Sequence, residues 1–114
     1  MREETVHDTK CEMDLTIWIG QNAKDNWQII DKANNYDIWF HLENFPSSHV
    51  ILRLPDKDTE INKQTLQSCA AICKANSKYA EHKNISIIYT EIKNVIKGET
   101  VGSVYTKKTK TIKL

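Results

Sequence analysis

The sequence has few cysteines and no long apolar run. Its three cysteines, Cys11, Cys69 and Cys73, cannot all pair within one chain, and none forms a Cys-x-x-Cys pair or a Cys/His set with zinc-finger spacing. We therefore expect reduced thiols and a cytoplasmic protein, with the nucleus as the other possible compartment. No apolar stretch approaches the length that spans a bilayer, and the polar, acidic N-terminus does not look like a secretory signal. We expect no membrane partner.

The chain also lacks repeats, linkers and low-complexity tracts, and 114 residues suffice for one domain but not for multi-domain catalysis. Hydrophobic residues at 39% and charged residues at 27% exclude a collagen-like or wholly disordered chain. The net charge of +1 hides a division along the chain. Residues 1–73 carry seven Lys/Arg against twelve Asp/Glu, a net charge of −5, whereas residues 74–114 carry nine Lys against three Glu, a net charge of +6. This asymmetry is a weak indication of a surface that faces a polyanion.

The hydrophobic periodicity predicts an α+β domain. Residues 1–13 show no periodicity, so we expect a flexible N-terminal arm followed by a single domain over residues 14–114. Residues 22–33 predict a short helix and residues 62–81 a long one, while residues 91–98 predict an irregular connection. Alternating or Ile-rich segments predict strands at 14–20, 37–42, 48–54, 85–90, 101–106 and 109–114. We expect a mostly antiparallel sheet with both helices packed on one face.

A predicted hairpin locates the candidate site. If residues 37–42 pair with residues 48–54, alternation places one set of side chains together on the face opposite the Ile/Phe/Leu/Val core. This set is Trp39, His41, His49, Ile51 and Arg53. An indole, two imidazoles and a guanidinium offer stacking surfaces and hydrogen-bond donors suited to single-stranded RNA. The alternative is that a helix covers this face and these side chains are ordinary core residues.

Two catalytic interpretations of the hairpin are weaker. His41, His49 and Glu43 could hold a metal ion with open positions, as in a small metal-dependent nuclease, but their spacing is not that of a metal-binding helix. Ser48 next to His49 could suggest a hydrolase, yet neighbours in one strand point to opposite faces. We therefore expect no enzyme activity, no metal and no cofactor.

Lysines of the second half form a second candidate group. They lie in one connection and at one predicted hairpin tip, where ammonium groups could neutralise backbone phosphates without reading sequence. The group comprises Lys93, Lys97, Lys107, Lys108 and Lys110. The alternative for the last lysines is that they only solvate and protect an edge strand.

The segment Asp37 to Arg53, DIWFHLENFPSSHVILR, resembles the signature of the RNA-binding module called NFACT-R. That signature reads Asp-x-Trp-Phe-His, a short spacer, then Pro-Gly-Ser-His-Val. Shorter stretches in the same order are similar to other parts of the family: IGQNAKDN at 19–26, ANSK at 75–78, IIYTEIKNVIK at 87–97 and GSVYTKKTKTI at 102–112. Two departures are Ser47, where the family usually has Gly, and Gln21, where it usually has Arg.

The family occurs in proteins of ribosome-associated quality control and as standalone proteins, so the resemblance implies a standalone RNA-binding protein linked to translation. It implies tRNA or rRNA as ligand, ribosome-associated proteins as further partners, and no catalysis. Trp39, His41, Ser48 and His49 would belong to the signature site, with Asn22, Lys93 and Lys97 near it. A histidine contact would strengthen binding as the pH falls through about 6.5. The alternative function is a protein-interaction adaptor in translation without direct RNA contact.

Overall fold

Eight strands and two α-helices make up the chain in the computed structural model, which describes residues 1–114. Helix α1 spans Ala23–Lys32 and helix α2 spans Lys63–Ala75, so α2 ends earlier than predicted. A 3-10 turn covers Ile92–Asn94. The strands are β1 Arg2–Asp8, β2 Met13–Ile19, β3 Ile38–Leu42, β4 Val50–Leu52, β5 Ser86–Glu91, β6 Val95–Lys97, β7 Val104–Thr106 and β8 Lys110–Lys113. Neither helix is long and apolar enough to cross a membrane.

Six strands form one antiparallel sheet in the order β1-β2-β4-β3-β5-β8, and β6 pairs with β7 in a second, two-stranded sheet. The predicted hairpin of β3 and β4 is confirmed, with Phe40 opposite Val50 and Trp39 opposite Ile51. Both strands of the hairpin lie inside the large sheet, between β2 and β5. The hairpin is thus held on both sides by further strands, which makes it a rigid support for its side chains.

The α+β class and the mostly antiparallel sheet are confirmed, but the two helices pack on opposite faces rather than on one. Helix α2 buries Cys69 and Cys73 in a cluster with the Phe40 side of the sheet. Helix α1 buries Ile29 in a second cluster with Trp18, Trp39 and Ile51. The physical reason is that the second face also carries large apolar side chains, and leaving them in water would forgo their burial free energy. All three cysteines are free, and Cys69 and Cys73 are buried.

The N-terminal segment, which we expected to be a flexible arm, forms strand β1 and pairs with β2 along its whole length, from Arg2 opposite Ile19 to Asp8 opposite Met13. Its carboxylate at Asp8 is fully buried. It accepts hydrogen bonds from the Thr65 hydroxyl at 2.6 Å and the Asn62 backbone N–H at 2.7 Å. Asp8 therefore fastens the end of β1 to the first turn of α2.

The predicted closing hairpin is wrong, because its two strands pair with different partners. Strand β7 pairs with β6, and β8 pairs with β5 at the edge of the large sheet. Lys107 and Lys108 lie in the turn that leads from one sheet to the other, and their carbonyls accept hydrogen bonds from the Thr90 hydroxyl at 3.1 and 3.3 Å. The segment 91–98, predicted as irregular, contains the 3-10 turn and β6.

Candidate functional site

A polar cleft of about 750 Å³ opens where the start of α1, the end of α2 and the β3–β4 loop meet. Residues 20–23, 46–49, 76–79 and 101–102 line it, together with Asn26 and His41. Four of the predicted site residues belong to this lining: Asn22, His41, Ser48 and His49. The hairpin signature therefore does converge on a cavity.

Trp39 lies beneath the cleft rather than in it. Only 1% of its surface is exposed, so it cannot be the stacking surface that we expected. Its ring stacks against His41 with centroids 5.7 Å apart and planes 4° from parallel. Its indole N–H donates to Nδ1 of His49 at 3.0 Å. Trp39 thus orients both imidazoles. It also packs in one cluster with Ile29 of α1, which agrees with the alternative that a helix covers this face and Trp39 is a core residue.

The two imidazoles are neutral at pH 7. Burial lowers the pKa of His49 to about 3, with the neighbouring His41 adding to the effect and a hydrogen bond with the backbone of Gly102 opposing it. Burial also lowers the pKa of His41, although hydrogen bonds with the backbones of Leu42 and Ser47 oppose it. The rings meet edge to face at 4.9 Å. The basis of the expected gain in binding near pH 6.5 is therefore weakened, because burial lowers the pKa of both rings below that value.

The start of α1 is fastened to the His49 backbone. The backbone N–H of His49 donates to Oδ1 of Asn26 at 3.2 Å, and its carbonyl accepts from the Gly20 N–H at 2.9 Å. A Cβ atom at Gly20 would lie 1.8 Å from Oδ1 of Asn26, so this close approach requires glycine. Asn22 caps α1 by accepting from the Asp25 N–H at 2.8 Å.

Ser47, which replaces the family's usual glycine, fits its position. It is not among the residues with positive φ, so its backbone does not need glycine. Its hydroxyl accepts from the Leu42 N–H at 3.2 Å and donates to the Ser48 carbonyl at 3.1 Å, which braces the β3–β4 loop. No group of three or more His, Cys, Asp or Glu side chains is placed to hold a metal ion.

Arg53 lies at the other end of the hairpin from the cleft. Its Nε donates to the fully buried carboxylate of Asp37 at 2.7 Å, and its guanidinium lies 3.8 Å above the Trp18 ring. Asp37 also accepts from the backbone N–H groups of Asn34 and Leu54. Arg53 therefore neutralises a buried charge and does not join the two histidines.

The predicted lysines separate into different surfaces. Lys93, Lys108 and Lys110 border a groove of about 410 Å³ around Tyr89, near the start of α2. Because the cleft lies at the other end of this 13-residue helix, the two sites are about 20 Å apart. Lys93 pairs with Glu91 at 3.3 Å.

The other two predicted lysines lie outside that groove. Lys97 pairs with Asp31 at 2.6 Å and lies 5.4 Å above the Trp27 ring. Lys107 is exposed in the turn before β8. The lysines thus do not form one continuous patch with the histidines.

Sequence reasoning missed the cleft wall formed by residues 76–79 and 101–102. The predicted helix continued to residue 81, which hid the turn that follows Asn76 at the end of α2. Gly102 adopts a φ of 89°, and a Cβ there would lie 2.9 Å from Cβ of Ala23, so the loop packs closely on α1. The resemblance contained a signal for both, since ANSK and the glycine of GSVY belong to its matched stretches.

The sequence matches one known protein family and several known proteins. The family described as "NFACT protein RNA binding domain" matches residues 5–112. Coiled-coil domain-containing protein 25 of Mus musculus is 34% identical over 104 residues, covering 87% of this chain and 50% of that protein. Rqc2 homolog RqcH of Bacillus subtilis (strain 168) is 33% identical over 84 residues, covering 73% of this chain and 14% of that protein. The chain thus spans half or less of the length of these relatives.

A solved structure shows the same fold. The C-terminal part of the fibronectin/fibrinogen-binding protein from Streptococcus suis matches with a TM-score of 0.82 at 23% identity. The match covers 100% of this chain and 45% of that one.

Proposed function

The chain belongs to the NFACT RNA-binding domain family, and from that premise we propose that it binds RNA in the cleft lined by His41, Ser48 and His49. The observation that carries this proposal is the neutral imidazole of His41, which lines the cleft and is stacked on Trp39. A neutral imidazole can exchange hydrogen bonds with base edges and ribose hydroxyls, whereas a charged ring would favour phosphate.

The lysine groove around Tyr89 provides a second contact in this proposal. Lys93, Lys108 and Lys110 are exposed, and Glu91 offsets only one of these charges. Ammonium groups bind the phosphate backbone without reading sequence. We assign sequence or shape preference to the cleft and general affinity to the groove.

We further propose that the ligand is tRNA or rRNA and that the protein acts in ribosome-associated quality control in the cytoplasm. The similarity to RqcH, named as an Rqc2 homolog, supports this link. We do not assign the activities of these longer relatives to this chain, because it matches only part of each of them.

Fluorescence anisotropy with tRNA, single-stranded RNA and duplex DNA, at about 50 and about 200 mM salt, tests the proposal. RNA binding should weaken steeply with salt, because each phosphate contact releases counterions. His41→Ala should weaken RNA binding several-fold, since the net contribution of one hydrogen bond is about 1 kcal/mol. His7→Ala, on the exposed edge strand β1, is the matched control and should bind as the wild type does.

Absent or salt-insensitive RNA binding would contradict the proposal and favour the adaptor function instead. If the RNA is cut only in the presence of a divalent metal, and His41→Ala abolishes the cutting, the function would be that of a metal-dependent nuclease.

A further inference from the structure

Two stacked aromatic rings lie at the edge of the cleft, and the outer ring belongs to neither hydrophobic cluster. Phe45, in the β3–β4 loop, stacks on Tyr79 with centroids 4.1 Å apart and planes 28° from parallel. Tyr79 lines the cleft, and His82 meets its ring edge to face at 5.1 Å. Phe45 is 37% exposed and is absent from both hydrophobic clusters.

Stacking on Tyr79 still leaves 37% of the Phe45 surface exposed to water. A phenylalanine that served packing alone would gain most by turning into the core, since burial of apolar surface is what stabilises it. Phe45 instead covers one face of the Tyr79 ring, close in sequence to the cleft residues Pro46 and Ser47. The exposed part of the Phe45 ring therefore offers an apolar surface beside the cleft.

The chemistry around the stack matches one nucleotide. Lys78, adjacent to Tyr79, is exposed, lines the cleft and takes part in no ion pair. A flat aromatic surface beside a free ammonium group offers a stacking partner for a base and a counter-charge for its phosphate. A base within a duplex could not use this surface, because both of its faces are already stacked on neighbours.

We propose that the Phe45–Tyr79 stack is a platform for an unpaired nucleobase, with Lys78 binding the adjoining phosphate, and that it makes the protein prefer single-stranded over duplex RNA. This inference rests on the proposed RNA binding and names the class of RNA that the cleft selects.

Phe45→Ala tests the platform in anisotropy titrations with a single-stranded RNA and with the blunt duplex of the same sequence. Affinity for the single strand should fall about tenfold, because one base–aromatic stack is lost, while affinity for the duplex should stay within about twofold. Phe45→Tyr keeps a ring and should retain wild-type affinity. Tyr105→Ala is the matched control, since it removes a 61% exposed aromatic ring from β7 that does not line the cleft.

A 2-aminopurine base in the single strand gives a direct readout, because its fluorescence is quenched on stacking. Quenching by the wild type that is lost in Phe45→Ala supports the platform. Equal losses on single strand and duplex, or no loss with RNA binding intact, overturn the platform but leave the proposed function standing. If the wild type binds no RNA at all, both fail. Circular dichroism of each variant separates loss of contact from loss of fold.

Discussion

At the scale of single residues, burial decides what each side chain of the hairpin can do. Alternation correctly predicted that Trp39, His41 and His49 share a face, because the period of a strand is fixed by its backbone. It could not predict that Ile29 of α1 covers Trp39, since that contact depends on the path of the chain between the elements. The sequence therefore predicted which side chains lie together at the candidate site but could not separate its exposed residues from the buried ones that support them.

His49 makes stability depend on pH in a window set by its pKa. The folded chain protonates His49 at about 3 and the unfolded chain near 6.5, so between these values only the unfolded state binds the proton. The free energy of unfolding should therefore fall as the pH drops below about 6.5, by up to about 1.4 kcal/mol per pH unit. Urea denaturation at several pH values between about 7 and about 4.5 measures this slope.

The variant His49→Gln removes the titrating ring while its amide oxygen can still accept from Trp39. Its unfolding free energy should vary less with pH over the same window. The exposed His82 provides the matched control, and His82→Gln should keep the wild-type slope. An unchanged slope in His49→Gln would refute the buried neutral imidazole as its source.

Arg53 should matter for stability and not for RNA binding. Arg53→Met leaves the fully buried carboxylate of Asp37 without its counter-charge, which should cost about 3 kcal/mol of unfolding free energy. Chemical denaturation measures the loss, and Asp37→Asn in the same chain should recover part of it, since the two residues act as a pair. Lys57→Met, in an exposed loop, is the control. If the Arg53→Met variant is folded but loses RNA affinity, Arg53 would belong to the RNA-binding site after all.

At the scale of elements, prediction succeeded where a strand has one apolar face and failed at the edges. Strands β2, β3, β4 and β5 alternate or are rich in Ile, and all four were predicted. Strand β1 was missed because it is a charged edge strand, and its buried Asp8 reads as a surface residue. The final hairpin was misassigned because adjacent strands usually pair, whereas β7 and β8 pair with partners formed earlier in the chain.

The junction of β2 and α1 depends on a contact between Gly20 and Asn26. Gly20→Ala places a methyl group 1.8 Å from Oδ1 of the buried Asn26 amide, so this amide must move and its bond to the His49 N–H is lost. We expect a loss of about 2–3 kcal/mol of unfolding free energy, together with weaker RNA binding. Thermal and urea unfolding measure the first effect, and anisotropy measures the second.

A second substitution checks the cause of this loss. In Asn26→Ala the clashing amide is absent, so adding Gly20→Ala should cost much less than it does in the wild type. Simple additivity of the two losses would show that the clash is not the reason.

At the scale of the whole molecule, the net charge of +1 conceals two separate candidate binding surfaces. The cleft at one end of α2 is polar and has Lys78 as a cation in its lining, whereas the groove at the other end carries Lys93, Lys108 and Lys110. Division of charge along the sequence correctly indicated a basic second half. It could not show that those lysines lie apart from the histidines, because distance in the fold depends on where β5 and β8 pair.

This separation predicts that affinity depends on RNA length. A strand must cover about 20 Å to reach both surfaces. Affinity for single-stranded RNA should therefore rise sharply once the strand is long enough to span this distance, since the second contact then becomes intramolecular. The triple variant Lys93→Ala, Lys108→Ala, Lys110→Ala should abolish that rise and reduce the salt dependence, yet leave shorter strands nearly unaffected. Lys24→Ala, Lys32→Ala, Lys57→Ala removes as many exposed lysines from other surfaces and is the control. Equal losses for short and long strands in the first variant would mean that one continuous surface binds the RNA.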